Sequence, residues 1–307
     1  MTRRADRRTV LTGLGALGVA GCDRAPSSPT SQMDIRPTRG AWDLDLTALE
    51  AANGGRIGLA AQDWNMVSWR PRERFNYCST FKMFLATATL ERIQRSEEQL
   101  HRAIPITAAD MVSHAPITEP AVGSTLTIEA LCKGMVEVSD NPAANILIRE
   151  LGGLDALRAW YRSIGDLSTT VDRLEPMMNR RDGDKDTITP SQAVSNLIAV
   201  FGSGSGSGTI RPRLQTEMMA RLRRWMIDSP TGADRIKGGV PAGWIVAHKT
   251  GTGGTGQTND VGVIQPPSGD PIHIAIYYDA PASLSAARRD AVIADATRMA
   301  LERLGRG

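Results

Sequence analysis

One stretch of the chain has residue types and spacing suited to activating a hydroxyl: Ser79-Thr80-Phe81-Lys82. It heads a run in which Phe81, Met83, Phe84, Leu85, Ala86, Ala88, Leu90 and Ile93 leave almost no polar face. That pattern predicts a buried helix over residues 79–95, about four turns long. Ser79 falls at its N-terminus, where free backbone N–H groups and the positive end of the helix dipole gather. Lys82, three residues on, shares a face with the Ser79 hydroxyl. An ammonium among aliphatic side chains must find acceptors or give up its proton. A serine beside such a lysine can act as a nucleophile. The plain alternative is an N-cap serine, because S-x-x-K arises about once by chance in a chain this long.

Three further patches carry chemistry. Ser139-Asp140-Asn141-Pro142 reads as a helix start, with Asp140 as the cap and Pro142 in the first turn. There Ser139 can relay a proton and Asn141 can offer its amide to a substrate carbonyl. Lys249-Thr250-Gly251-Thr252-Gly253 lies on a predicted strand, with Lys249 and Gly251 on one face and Thr250 and Thr252 on the other. Glycine inside a strand marks a close backbone approach, and the cluster suits an anionic, amide-containing ligand docking along an edge. Glu175-Pro176-Met177-Met178-Asn179 sits in an irregular segment, 166–187, flanked by Arg173 and Asp186, which can pair to pin it. Each patch also has a bland reading: a cap, a bulged strand and a solvated loop.

The elements around these patches follow from periodicity. A short amphipathic helix over 43–52 precedes a hairpin of Arg56–Gln62 and Met66–Arg70 turning at Asp63-Trp64-Asn65. Helices are expected at 79–95, 108–113, 127–137, 141–151, 153–164, 190–201 and 211–228, and Gly202–Gly208 reads as a loop of alternating Gly and Ser. Strands at 244–251, 258–265 and 271–279 and a last helix at 283–304 close the chain. This order implies an α/β (α+β) fold with one antiparallel sheet built from both chain ends, flanked by helices, and an all-α domain inserted between. Residues 41–77 and 228–307 form the α/β domain and 78–227 the all-α domain, with a small-molecule cleft between them.

Together, S-x-x-K, S-D-N and K-T-G in this order are a known signature of class A β-lactamases and penicillin-binding proteins. The chain resembles the class A serine β-lactamases over about residues 40–305, including the E-P-x-x-N loop, Pro241-Ala242-Gly243-Trp244 and the helix start at Asn141. The resemblance implies the serine β-lactamase / D,D-peptidase fold and a β-lactam as the small-molecule substrate. Ser79 would be the acylated nucleophile, and Lys82 and Glu175 candidate bases, with Glu175 and Asn179 holding the deacylating water. Ser139 would pass a proton to the departing lactam nitrogen, and the backbone N–H groups of Ser79 and Thr252 would form the oxyanion hole. Asn141, Lys249, Thr250, Gly251 and Thr252 would contact substrate. The family's arginine after the K-T-G strand is replaced by Thr258, and Arg235 matches the alternative arginine found in other members. His114 stands where an aromatic residue gates the cleft, and His248 where an acidic residue is frequent. The Asn179–Asp186 stretch is about two residues shorter than in the family. Gly253 stands where carbapenem-hydrolysing members often carry a cysteine bridged to their counterpart of Cys78, so carbapenem hydrolysis is not implied. A penicillin-binding D,D-peptidase and a β-lactam sensor that stays acylated share the first three motifs; Glu175 with Asn179 favours the hydrolase, since rapid ester hydrolysis needs a base.

Net charge gives no argument for a polyanionic partner. Residues 1–22 hold Arg3, Arg4, Arg7 and Arg8 against Asp6, so their removal takes the net charge from +3 to zero. The same residues read as an export signal: twin arginines at Arg7-Arg8, a short apolar stretch from Leu11 to Gly21, and Val19-Ala20-Gly21-Cys22, which resembles a lipobox with Cys22 as the lipidated residue. Residues 23–40 read as a tether, and membrane contact is expected only through that anchor. Cys78 and Cys132 lie in apolar helical contexts and are expected as free thiols. No metal or other cofactor, no nucleic acid and a monomeric state are expected.

Overall fold

The computed structural model describes residues 41–203 and 210–306. The export segment, Cys22, the tether and the 204–208 portion of the Gly/Ser run lie outside the described residues. In chain order the elements are β1 (Ala41–Asp43), α1 (Thr47–Asn53), β2 (Arg56–Gln62), β3 (Met66–Trp69), β4 (Phe75–Asn76), α2 (Phe81–Gln94), β5 (Ala103–Pro105) and β6 (Thr125–Thr127). They continue with α3 (Ile128–Glu137), α4 (Asn141–Leu151), α5 (Leu154–Ser163), β7 (Thr187–Ile188), α6 (Pro190–Phe201), α7 (Thr216–Asp228) and α8 (Ile236–Gly239). Last come β8 (Ile245–Thr252), β9 (Gln257–Gln265), β10 (Ile272–Asp279) and α9 (Ala286–Arg303).

The main sheet runs β1-β3-β2-β10-β9-β8 and is antiparallel except where β1 joins β3. Both ends of the chain build it. Their junction is the β2–β10 ladder, which runs from Arg56 opposite Asp279 to Gln62 opposite His273. Alternation along β10 decides its two faces. Ile272, Ile274, Ile276 and Tyr278 pack with α9 residues such as Val292, Ile293 and Leu301. Ala275 and Tyr277 point the other way, into the core shared with α2. Gly58 in β2 is required by packing, since a Cβ there would come within 2.2 Å of the Phe75 ring.

Helix α2 runs through the middle of that second core, buried from Phe81 to Glu91. Its one buried carboxylate, Glu91, accepts both guanidinium arms of Arg213 at 2.8 and 3.0 Å and the Trp160 indole N–H at 3.2 Å. A charge so placed is tolerated only with such partners.

The structure departs from the periodicity in several places; the helix expected over 211–228, for one, starts only at Thr216. The expected helix over 43–52 starts only at Thr47, because Ala41–Asp43 extends along β3 and the Leu44 N–H donates to the Ser68 carbonyl. The expected helix over 108–113 is a single 3₁₀ turn, Ala108–Asp110, closed by reciprocal Thr107–Asp110 bonds. The helix carrying Lys82 begins at Phe81, not Ser79. Ser79 lies in a preceding 3₁₀ turn, Cys78–Thr80, entered through a left-handed Cys78 at φ +48°.

Candidate active site

That tight turn is what presents the Ser79 hydroxyl. Thr80 ties back to the Tyr77 carbonyl through both its N–H, at 3.2 Å, and its hydroxyl, at 2.8 Å. From β9, the Asn259 amide donates to the carbonyls of Asn76 and Tyr77 at 2.9 and 3.2 Å. From β8, Gly251 lies so close that a Cβ would meet the Tyr77 carbonyl at 2.8 Å and Thr80 at 3.0 Å. The sequence pattern placed a ligand against that glycine; the close approach is instead the seating of the nucleophile turn on the sheet. A left-handed non-glycine residue is a sparsely populated state that needs such support. Cys78 and Cys132 are both free and buried, and burial pushes both thiols well up from their ordinary value, that of Cys132 to about 12.

Lys82, in the first turn of α2, has no solvent exposure and several acceptors. Its ammonium donates to Asn141 Oδ1 at 2.6 Å, to the Ser139 carbonyl at 2.7 Å and to Ser139 Oγ at 3.3 Å. Glu175 Oε1 completes the ring at 3.1 Å. Burial lowers the affinity of this lysine for its proton, and the Glu175 carboxylate opposes that; the net shift is downward. The same Glu175 Oε1 stands 3.5 Å from Ser79 Oγ. One buried carboxylate oxygen is therefore shared between the nucleophile and the lysine.

Glu175 is carried there by a segment with little regular structure but many ties. Arg173 Nε meets Asp186 Oδ2 at 2.6 Å, the pairing anticipated from their flanking positions. Asp186 Oδ1 also accepts the N–H groups of Asp172 and Arg173 at 2.8 and 3.1 Å. The Asn76 amide bonds the carbonyls of Met178 and Asp186, both at 2.9 Å. Between these anchors, the Glu175–Pro176 peptide is cis and a 3₁₀ turn, Met177–Asn179, brings the Asn179 amide onto Glu175 Oε2. The short Asn179–Asp186 stretch still delivers Glu175 to the nucleophile. Asn179 Oδ1 is buried and lacks a hydrogen-bond partner among the described residues.

A cleft of about 340 Å³ opens in front of these groups, lined by Ser79, His114, Ser139, Asn141, Asn179, Thr231, Gly232, Arg235, Thr250 and Thr252. Lys82, Glu175 and Lys249 lie behind its wall. Asp140 caps α4 through the Ala143 N–H, as its sequence position suggested, while Ser139 is left-handed at φ +63°. The Asn141 amide nitrogen already donates to the Ser113 carbonyl at 2.8 Å, leaving one of its two hydrogens for a substrate. His114 is also left-handed, at φ +64°, and its Nε2 lies 2.9 Å from the Val138 carbonyl, so the ring is tethered in the cleft lining. On the far wall, Arg235 bonds Thr252 Oγ1 at 3.0 Å, the carbonyls of Gly251 and Asn259 at 3.1 and 2.9 Å, and Asp290 of α9 at 2.7 Å. Lys249 donates to the Thr250 carbonyl at 3.0 Å; burial, reinforced by the nearby Lys82 charge, holds its pKa well below the ordinary lysine value. This side of the cleft is cationic and hydroxyl-lined.

Residues 43–304 match the family model described as the Beta-lactamase enzyme family. The chain is 37% identical to β-lactamase CTX-M-8 of Citrobacter amalonaticus over 259 residues, 82% of this chain and 85% of the relative. Toho-1 of Escherichia coli is 36% identical over 304 residues, covering 96% and 98% of the two chains. Among solved structures, an ancestral (GNCA) class A β-lactamase superposes with a TM-score of 0.78 at 40% identity, covering 84% of this chain and 98% of its own. The chain belongs to the class A β-lactamase family. It shares the fold of that family and its hydrolysis of the β-lactam amide.

Two contributors to this β-lactamase site were missed in the sequence. Asn145, one turn after Asn141 on α4, accepts the Glu175 N–H and donates to its carbonyl, both at 2.9 Å. Its i,i+4 spacing from Asn141 was the available signal, since both then share a face. Thr231 shares a hydrogen bond of 2.9 Å with Thr250 across the cleft wall; nothing local marked it.

Proposed function

We propose that this β-lactamase works through an ester on Ser79 that is hydrolysed by water activated at Glu175, acting on penicillins and cephalosporins. The observation that carries the reading is the single Glu175 oxygen lying 3.5 Å from Ser79 Oγ and 3.1 Å from Lys82 Nζ. Ser79 Oγ attacks the lactam carbonyl and its proton passes to this pair, directly to Glu175 or to a Lys82 whose proton affinity is already depressed. The developing oxyanion is received by the N–H groups of Ser79 and Thr252. The C–N bond then breaks, and the nitrogen takes a proton from Ser139, which Lys82 replenishes across 3.3 Å. With any proton on Glu175 handed to Lys82 across 3.1 Å, a water held by Glu175 and Asn179 Oδ1 loses its proton to Glu175 and attacks the ester; the bond to Ser79 Oγ breaks and Glu175 returns the proton to Ser79 across 3.5 Å. The two-sided support of Glu175 by Asn145 and Asn179 weighs against a D,D-peptidase or a sensor that stays acylated. Trapping of the ester in Glu175→Gln is the direct test.

The substrate carboxylate is received by Thr250, Thr252 and Lys249, with Arg235 supplying charge from behind Thr252. Asn141 contacts the side-chain amide and His114 covers the mouth. Arg235→Ala is expected to raise KM for benzylpenicillin by about tenfold with kcat little changed, the signature of lost ground-state binding. An unchanged KM would remove Arg235 from this role.

The α/β part, residues 41–77 and 228–307, and the all-α part, 78–227, meet at this cleft in our reading. The protein is exported and tethered by lipid on Cys22, and works as a monomer, as sedimentation velocity would check. Cys22→Ala is expected to move it from the membrane fraction to the soluble periplasm; a soluble wild type would contradict the anchor.

A further inference from the structure

The strand that ends in the carboxylate-binding residues carries a buried histidine–aspartate contact on the same face as Thr250 and Thr252. His248 and Asp260 have no solvent exposure, and His248 Nδ1 lies 2.9 and 2.8 Å from the two Asp260 oxygens. Since a carboxylate only accepts, Nδ1 carries the shared proton. His248 Nε2 has no partner among the described residues, so the imidazole contributes one bond and directs it at Asp260. Among the described residues Asp260 accepts one other hydrogen bond, from the Ile236 N–H at 3.1 Å, the first residue of α8.

Ile236 closes the segment that forms the cationic wall of the cleft. At its other end Thr231 is hydrogen-bonded to Thr250. In its middle Gly232, left-handed at φ +68°, leans on the same two side chains: a Cβ there would lie 2.4 Å from Thr250 Cγ2 and 3.3 Å from His248 Cε1. Arg235, one residue before Ile236, reaches Thr252. The segment thus rests on His248 in its middle and on Asp260 at its end.

We propose that His248 is a positioning residue for the substrate carboxylate: through Asp260 it fixes the Thr231–Ile236 segment that places Arg235 and Thr231 against Thr252 and Thr250. The inference rests on the reading of those residues as the carboxylate site. Without the imidazole donor, Asp260 is a buried carboxylate missing its charge-assisted bond, and it must turn toward another donor. The Ile236 N–H is then released and the segment loosens. Ser79, Lys82 and Glu175 are held by other contacts, so the effect falls on binding and not on turnover.

Steady-state kinetics with benzylpenicillin and its methyl ester test this. His248→Leu is expected to raise KM for the acid about tenfold with kcat within about twofold, and to leave KM for the ester unchanged. His248→Asn, whose amide nitrogen can occupy the position of Nδ1, is expected to restore KM. If His248→Leu does not fold, Asp260→Asn serves, since the amide loses the charge that strengthens both bonds and turns one of the two oxygens facing His248 Nδ1 into a donor; the same selective rise is expected. A lower melting temperature with unchanged KM, or an equal rise for acid and ester, overturns the proposal. Arg235→Ala separates the two ideas: if it raises KM and the His248 variants do not, the carboxylate site stands and the positioning role falls.

Discussion

Glu175→Gln is expected to react with one penicillin per molecule and then almost stop. The amide keeps the shape of the side chain and its tie to Asn179, but it cannot take a proton from water. Deacylation should slow by about 10² to 10⁴, the usual worth of general-base catalysis. Acylation should fall less. The Glu175 carboxylate is what raises the proton affinity of Lys82 against its burial, so its removal leaves a lysine that gives up its proton more readily. Stopped-flow traces should therefore show a burst equal to the enzyme concentration, followed by a slow steady rate. Wild-type turnover without a burst would make Glu175 a bystander.

Lys82→Ala should do the opposite: a slow first step, no burst, and a weaker fold. The ammonium is the shared donor for Asn141 Oδ1, the Ser139 carbonyl and Glu175 Oε1, all out of solvent. Removing one partner of a buried ion pair costs about 3–5 kcal/mol, because the remaining charge has no compensation. Glu175 is then left buried without its cation, and the pair that takes the Ser79 proton is broken. Acylation should drop by about 10² to 10⁴. Thermal melts and single-turnover kinetics read the two effects separately. A variant with wild-type stability and wild-type single-turnover acylation would show that the cage around Lys82 is decorative.

Much of this site was legible because its residues come in short motifs on regular elements. Ser79 and Lys82 are one turn apart, Asp140 caps the helix it precedes, and Thr250 and Thr252 alternate on one strand. Lys82 among aliphatic residues announced its cage without naming the acceptors. What could not be read was contact between distant segments. Gly251 looked like a ligand-facing glycine, yet its close neighbour is the Tyr77 carbonyl, 174 positions earlier in the sequence. Asn145, Thr231 and the His248–Asp260 pair depend likewise on which strands and turns meet. The start of α2 was misplaced because periodicity does not register a single left-handed residue, and Cys78 is one. The edge strand Ala41–Asp43 is three residues long, too short to show a period.

The central claim is an ester on Ser79, and peptide mass spectrometry of Glu175→Gln after mixing with benzylpenicillin tests it most directly. Cleavage after Arg74 and Lys82 releases the peptide Phe75–Lys82, which contains Ser79. That peptide is expected to carry the whole mass of the substrate, and in Ser79→Ala the adduct should vanish together with activity. An adduct on another peptide, such as the one holding Ser139, or product formation in Ser79→Ala at the wild-type rate, would contradict the account.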